Sequence, residues 1–271
     1  MKRVVLVTGA AGNIGGKLAA HFATTAAYDL RLIDQVAGDG VIAADLAAYD
    51  DAWAKTFAGV DTVVHLAGEP RGNASWAMVQ RANIVATQNV LRAARAAKIR
   101  RVVFASTNQV MLGYRFRDGI VTTDMPPAPL SPYGISKLFG EELGRGFAAE
   151  TGISFIALRI GYFQRGENLP GPAMVIGLWG QQMWLSNGDM KRAVEGAIEV
   201  ENVSFAVVNL VSNNAGMRWD LEHTRKTIGY VPRDAHTPVM TPEREAEDAE
   251  ARGLTTAPGT WLNERFQAVE R

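Results

Sequence analysis

Cysteine is absent from the chain, and disulfides, thiolate metal sites and thiol nucleophiles are excluded with it. Histidine is scarce. His21, His65, His223 and His236 are the four present, and none stands at the spacing of a helical zinc-binding pair, so no metal is expected. An excess of either charge is missing too: Lys+Arg and Asp+Glu both number 28, the formal net charge is zero, and the pI is near 6.9. A general nucleic-acid binder needs a basic surplus to displace counterions, and no nucleic-acid partner is expected. Long hydrophobic runs are lacking. The longest, Ala173 to Trp179, falls far below the roughly 20 residues of a membrane span. The short apolar run after Met1-Lys2-Arg3 is no signal-peptide core. These absences predict a cytoplasmic protein with no membrane partner.

What is present is ordinary in bulk and specific in pattern. The chain has 271 residues, 47% hydrophobic and 21% charged, enough for a core that needs no covalent staple. Short β-branched runs alternate with longer Ala-rich stretches, the pattern of βαβ units around a parallel sheet. Strands are predicted at Arg3–Thr8, Leu30–Asp34, Val41–Ala44, Thr62–Leu66, Arg101–Ser106, Ser154–Ile160 and Phe205–Val211. Helices are predicted at Gly15–Thr25, Ser75–Lys98, Pro132–Thr151, near Asp220–Ile228, and at Glu243–Ala251, whose five carboxylates read as a solvated face. The stretch 161–188 is rich in Gly, Pro, Met and Trp with little periodicity, and Trp179, Trp184, Trp219 and Trp261 all lie beyond residue 170. Such a loop-rich aromatic segment suits a substrate pocket, or simply a small second core.

The first strand runs into Thr8-Gly9-Ala10-Ala11-Gly12-Asn13-Ile14-Gly15 and then a helix. Glycines in this context let the backbone turn and approach a pyrophosphate at a helix N-terminus. Asp34 closes the second strand, where a carboxylate accepts bonds from ribose hydroxyls and repels a 2′-phosphate; NAD is predicted over NADP. Asp45-Leu46 could meet the adenine. The sharpest signal is Ser131-Pro132-Tyr133-Gly134-Ile135-Ser136-Lys137. Ser131 and Pro132 read as cap and first residue of a helix, which places Tyr133 and Lys137 at i and i+4 on one face. A tyrosine becomes a general base only if positive charge stabilises its phenolate, and a neighbouring ammonium supplies that. Thr107, at the end of the strand Phe104-Ala105-Ser106-Thr107, could hold the substrate oxygen beside it. His65, flanked by Val63, Val64 and Leu66, reads as a core histidine, and Ser186 to Asp189 as a capping box.

Together these residues resemble the extended short-chain dehydrogenases/reductases of the NAD-dependent epimerase/dehydratase superfamily. The resemblance lies in TGAAGNIG (8–15), LID (32–34), HLAG (65–68), FASTN (104–108), YGISK (133–137) and ALRIG (157–161). It implies an α/β fold, a Rossmann-type doubly wound parallel sheet over 1–160 that strand 205–211 rejoins, and a small substrate lobe over 161–271. The resemblance further implies a proton relay of Thr107, Tyr133 and Lys137. NAD contacts would come from Gly9, Gly12, Asn13, Ile14, Gly15, Asp34, Asp45, Leu46, Leu66, Ala67, Gly68, Ser106, Tyr133 and Lys137. The chain is short for a nucleotide-sugar enzyme and is more similar to the sugar 1-dehydrogenases that act on uronates or glucose 6-phosphate. That similarity implies oxidation of the anomeric hydroxyl of an aldose, expected to carry an anionic C6 group (carboxylate, phosphate or sulfonate), to its lactone. Substrate contacts would fall on Arg71, Thr107, Asn108, Gln109, Tyr133, Tyr162 and Arg165. A homo-oligomer, dimer or higher, is implied through the helices at 75–98 and 132–151. Two alternatives stay open: an NAD-retaining epimerase or dehydratase, and a non-catalytic dinucleotide-binding regulator. Asn108-Gln109 stands where dehydratases carry an Asp-Glu pair.

Overall fold

A computed structural model describes residues 2–256; the end of the expected 161–271 lobe, Trp261 included, lies outside the described residues. Seven parallel strands form one sheet: β1 (Val4–Thr8), β2 (Asp29–Asp34), β3 (Val41–Ala43), β4 (Thr62–His65), β5 (Arg101–Thr107), β6 (Ser154–Ile160) and β7 (Phe205–Leu210). Their order is β3-β2-β1-β4-β5-β6-β7, the expected doubly wound Rossmann-type sheet. Register is set by residue-for-residue pairing, with Val5 opposite Leu30 on one side and Thr62 on the other. β4, β5 and β6 are buried at every residue, which explains their near-continuous apolar character.

Helices cover both faces. α1 (Asn13–Thr25) and, later in the chain, α7 (Asn187–Glu199) close one side. Leu18 and Phe22 of the first and Met190, Val194 and Ile198 of the second pack on Val5, Val64 and Ile156. The other face takes a short turn, α2 (Asp51–Ala54), then α3 (Trp76–Val79), α4 (Ala86–Ala97) and α5 (Pro132–Thr151). Val90, Leu91 and Phe147 there meet Leu6, Val102 and Phe155. Sheet order reverses at β1, and the chain leaves β1 and β4 toward opposite faces. That opens a crevice at the strands' carboxyl ends, where open α/β sheets bind ligands.

The single helix expected over 75–98 is interrupted by a π-turn at Gln80–Val85. The extra residue re-aims the chain, and Asn83 uses it to reach the loop after β4. Its Oδ1 accepts from Glu69 N at 2.7 Å, while its Nδ2 donates to Ser136 Oγ at 2.8 Å and to Glu69 O at 3.2 Å.

The irregular region departs further from expectation. Within 161–188 there is a helix, α6 (Gly177–Gln182), and a bridge pairs Tyr162 with Trp184. Trp179 and Trp219 pack at 4.6 Å between ring centroids in a third core with Met111, Val121 and Val211. Those tryptophans serve packing. After α8 (Glu222–Ile228) the chain returns through α9 (Pro242–Thr256). This acidic helix is not merely solvated: Asp248 forms an ion pair with Arg115 on the far side of the cleft, both largely buried, and Arg244 donates to Pro172 O and Ala173 O. Charge count alone could not show a partner so distant in sequence. Among the described residues no helix is long and apolar enough to cross a membrane.

Candidate active site

The crevice at the carboxyl ends of the strands is an open cleft of about 1340 Å³. Its floor is the loop between β1 and α1, where Gly9, Gly12, Asn13, Ile14 and Gly15 all line the wall. A Cβ on Gly15 would stand 2.1 Å from Gly9 O, so only glycine allows the loop to fold onto the helix start. The N-terminus of α1 carries no side-chain cap, leaving its backbone N–H groups and dipole for a phosphate. Asn13 is partly engaged, its amide donating to Gln164 O at 2.9 Å. Asp34 accepts from Ala11 N at 3.0 Å and Val36 N at 3.2 Å and lines the cleft. Arg31 turns away, donating to Thr56 O and Ala58 O. The glycine cradle, the open helix end and the carboxylate fit a dinucleotide.

Leu66, Ala67 and Gly68 form the next part of the wall, with Leu46 beyond. Asp45 is not on it. Its carboxylate, between the wall residues Ala44 and Leu46, accepts from Ala47 N at 3.0 Å and pairs with Arg81. Below Leu66, His65 is buried in a relay. Thr87 donates to Asn83 O at 2.5 Å and receives His65 Nε2 at 3.1 Å, and Thr8 Oγ1 lies 2.7 Å from Nδ1. Burial first and Lys137 second depress its pKa to about 3. It is the neutral core histidine expected.

Tyr133 and Lys137 stand one turn apart at the start of α5, fixed by Ser131, whose hydroxyl accepts from Gly134 N at 3.1 Å. Tyr133, Lys137 and Thr107 are 8%, 5% and 6% exposed, and all three face the cleft. Burial pushes Tyr133 up to about 12; a hydrogen bond with Thr107 opposes this and the Glu69 carboxylate adds to it. Burial alone lowers Lys137 to about 8. Its ammonium sits 5.1 Å from the Phe104 ring centroid and close to Gly68, where a Cβ would approach Nζ to 3.4 Å. Three groups able to orient a hydroxyl and take its proton therefore meet beside the dinucleotide cradle.

Ser106 also lines the cleft, but its hydroxyl donates to Glu141. Glu141 in turn accepts from Arg159 Nε at 3.0 Å and Nη2 at 2.8 Å, so Ser106 belongs to a buried network behind the site. Gln109, Tyr162, Arg165 and Arg71 reach the wall as expected. Asn108 does not. The chain turns at Thr107, which caps the 3₁₀ turn Asn108–Tyr114, and sends Asn108 into the interior, fully buried with neither amide atom hydrogen-bonded. A sugar contact from it is not supported by this geometry.

Two features went unseen in the sequence. One is the roof, where Glu247, Glu250 and Ala251 of α9 close the cleft; no local signal ties them to residues a hundred positions earlier. The other is Glu69, two residues before Arg71. Its carboxylate accepts from Arg71 N at 3.0 Å, Nε at 2.7 Å and Nη2 at 2.7 Å. The Glu-Pro-Arg spacing was visible, but its pairing was not.

The model of the family described as "NAD dependent epimerase/dehydratase family" matches residues 5–164. The chain belongs to that family. It is 36% identical over 255 residues to an L-arabinose 1-dehydrogenase (NAD(P)(+)) of Haloferax volcanii, covering 87% of this chain and 98% of that one. Similarity to the NAD-dependent glucose-6-phosphate dehydrogenase of the same organism is 32% over 256 residues, covering 86% and 94%. Among solved structures, a uronate dehydrogenase mutant from Agrobacterium tumefaciens complexed with NAD superposes with a TM-score of 0.74 at 28% identity, covering 92% of this chain and 90% of that one. All three of these relatives are dehydrogenases of a sugar or sugar acid, and each is named with, or bound to, a nicotinamide cofactor.

Proposed function

We propose that this protein catalyses the NAD-dependent oxidation of the anomeric hydroxyl of an aldose to the corresponding lactone. The observation that carries the reading is the convergence of Tyr133, Thr107 and Lys137 at the sheet's carboxyl edge, against the glycine loop. Gly9 to Gly15 and the α1 N-terminus would hold the pyrophosphate, Asp34 the adenosine ribose, and Lys137 the nicotinamide ribose. When bound, NAD supplies the hydride acceptor and a positive ring near the phenol. Thr107 holds the C1 oxygen. Tyr133 takes its proton as phenolate while the C1 hydride leaves, and Lys137 stabilises that phenolate. Because burial and the Glu69 carboxylate hold the phenol up at about 12 against the Thr107 hydrogen bond, cationic neighbours are what would make it a base at moderate pH.

Expected rates of oxidation rise with pH until the phenol ionises in the cofactor complex. The test is NADH formation from aldoses with NAD and, in parallel, NADP. Tyr133→Phe should lower kcat by at least a hundredfold while leaving NAD binding within a fewfold. Retained activity in that variant overturns the proton role. Absence of NADH from every aldose, with NAD retained through purification, would favour an epimerase instead. The expectation of an anionic C6 group rests on Arg71 and Arg165 as its partners, and the surroundings of those two arginines bear directly on it.

A further inference from the structure

The substrate end of the cleft holds three guanidiniums besides the Lys137 ammonium: Arg71, Arg115 and Arg165. Two already have a carboxylate. Arg115 pairs with Asp248. Arg71 is clamped by Glu69 through three donors, two from the guanidinium and one from its own backbone. Arg165 lies close enough to Glu69 to be felt by it. Glu69 is not a mobile surface acid. Its side chain is 12% exposed against 57% for Arg71, and both its backbone N–H and its carbonyl are held by buried Asn83. An incoming anion would have to displace a fixed carboxylate from Arg71 and then lie beside it, with Glu247 and Glu250 overhead. Glu69 takes the Nε/Nη2 edge of the fork and cancels its charge, so the outer Nη edge keeps N–H donors but offers an anion a pair with no net positive charge.

Resting on the aldose 1-dehydrogenase reading, we infer that Glu69 is the specificity-determining residue of this site. It occupies Arg71 as an internal anion, so that the cleft selects aldoses uncharged at C6 over uronates and sugar 6-phosphates. The same clamp presents the outer guanidinium N–H of Arg71 and the Glu69 carboxylate as a neutral donor and acceptor set suited to ring hydroxyls.

The experiment compares kcat/KM for sugars that share ring stereochemistry and differ only in what C5 carries. One series is L-arabinose, D-galactose and D-galacturonate; the other is D-xylose, D-glucose, D-glucuronate and glucose 6-phosphate. The unaltered protein should favour the uncharged members by at least tenfold in whichever series it accepts. Glu69→Gln keeps the side chain's shape and its Asn83 bonds, and should move the anionic-to-uncharged ratio toward the anion by at least tenfold. Adding Arg71→Met to that variant should abolish the gain. Glu69→Gln will also ease ionisation of Tyr133, but this acts on every sugar alike and cancels in the ratio. A preference for anionic sugars in the unaltered protein, or a ratio unmoved by Glu69→Gln in soluble, NAD-binding protein, overturns the inference while leaving the dehydrogenase reading intact. Failure to oxidise any aldose overturns both. Should Glu69→Gln fail to fold, Arg71→Met alone decides: a loss confined to anionic substrates means that Arg71 was free for them, and refutes the masking.

Discussion

Replacing Glu141 by leucine strands the Arg159 guanidinium in the core, and the size of the effect follows from the geometry. The two side chains are 1% and 3% exposed and meet through two hydrogen bonds, at 3.0 and 2.8 Å, with Ser106 adding a third to the carboxylate. Breaking a buried pair by removing one partner costs about 3–5 kcal/mol, because the remaining charge is desolvated without compensation. For a protein of this size that corresponds to a fall in Tm of about 6–20 °C, or roughly 1–2 M in the urea midpoint. The pair itself is not an ideal one, since Arg159 Nη1 has no hydrogen-bond partner. Glu141→Leu combined with Arg159→Met should therefore recover most of the loss, to within about 1–2 kcal/mol of the unaltered protein. The assay is equilibrium urea unfolding followed by tryptophan fluorescence and circular dichroism, on both single variants and the double. Coincident transitions license the two-state treatment. A single variant that loses less than about 1 kcal/mol, or a double variant as unstable as the single, would refute the stranded-charge account. Activity adds a second reading. Ser106 precedes Thr107 at the end of β5, so a double variant restored in stability but not in kcat would show that the network also aims the threonine.

Two further outcomes are expected. His65 is held neutral, with a pKa of about 3 against an ordinary value near 6.5, so the unfolded chain gains a proton that the folded one refuses. Stability from this group is complete above about pH 6.5 and should decline by ~1.4 kcal/mol per pH unit below it; His65→Gln, which can keep both threonine contacts, should flatten that acid limb in urea titrations run from pH 7 to 4. Asp34→Ala removes the acceptor for Ala11 N and Val36 N and the charge facing a 2′-phosphate; the NAD-to-NADP ratio of kcat/KM should fall at least tenfold, and an unchanged ratio would remove Asp34 from cofactor choice.

The sheet was legible because its central strands, β4, β5 and β6, are buried on both faces and so are written as nearly unbroken apolar runs. β6 came out at its expected limits, and the others within a residue or two. α5 was legible at both ends, from the Ser131-Pro132 cap to Gly152, whose φ of 72° closes the helix. Tyr133 and Lys137 were readable because helical spacing sets them one turn apart, and Thr107 because it ends a buried strand at the sheet's carboxyl edge. The misses share a different cause: each depends on a partner far away in sequence. The Asp45–Arg81 pair, the Arg115–Asp248 pair and the Asn83 clamp on Glu69 beside the π-turn at Gln80–Val85 each join segments that carry no local sign of one another. Asn108 failed for a local reason, because a 3₁₀ turn starting one residue after the strand reverses the inward and outward alternation that extended chain would have kept.

The roof formed by α9 has a bearing on how the molecule is made. The glycine loop, Tyr133 and Lys137 all precede residue 140, and the family match ends at 164, whereas Glu247, Asp248 and Glu250 follow nearly a hundred residues later. A ribosome releases the glycine loop and the Tyr133–Lys137 pair well before the helix that lines the cleft opposite them. The two walls are consequently separable by where the chain is cut. Ending translation before Pro242 leaves the glycine loop, Tyr133 and Lys137 encoded and removes the Arg115–Asp248 clasp, so a nascent or clipped chain keeps one wall of the cleft and lacks the other.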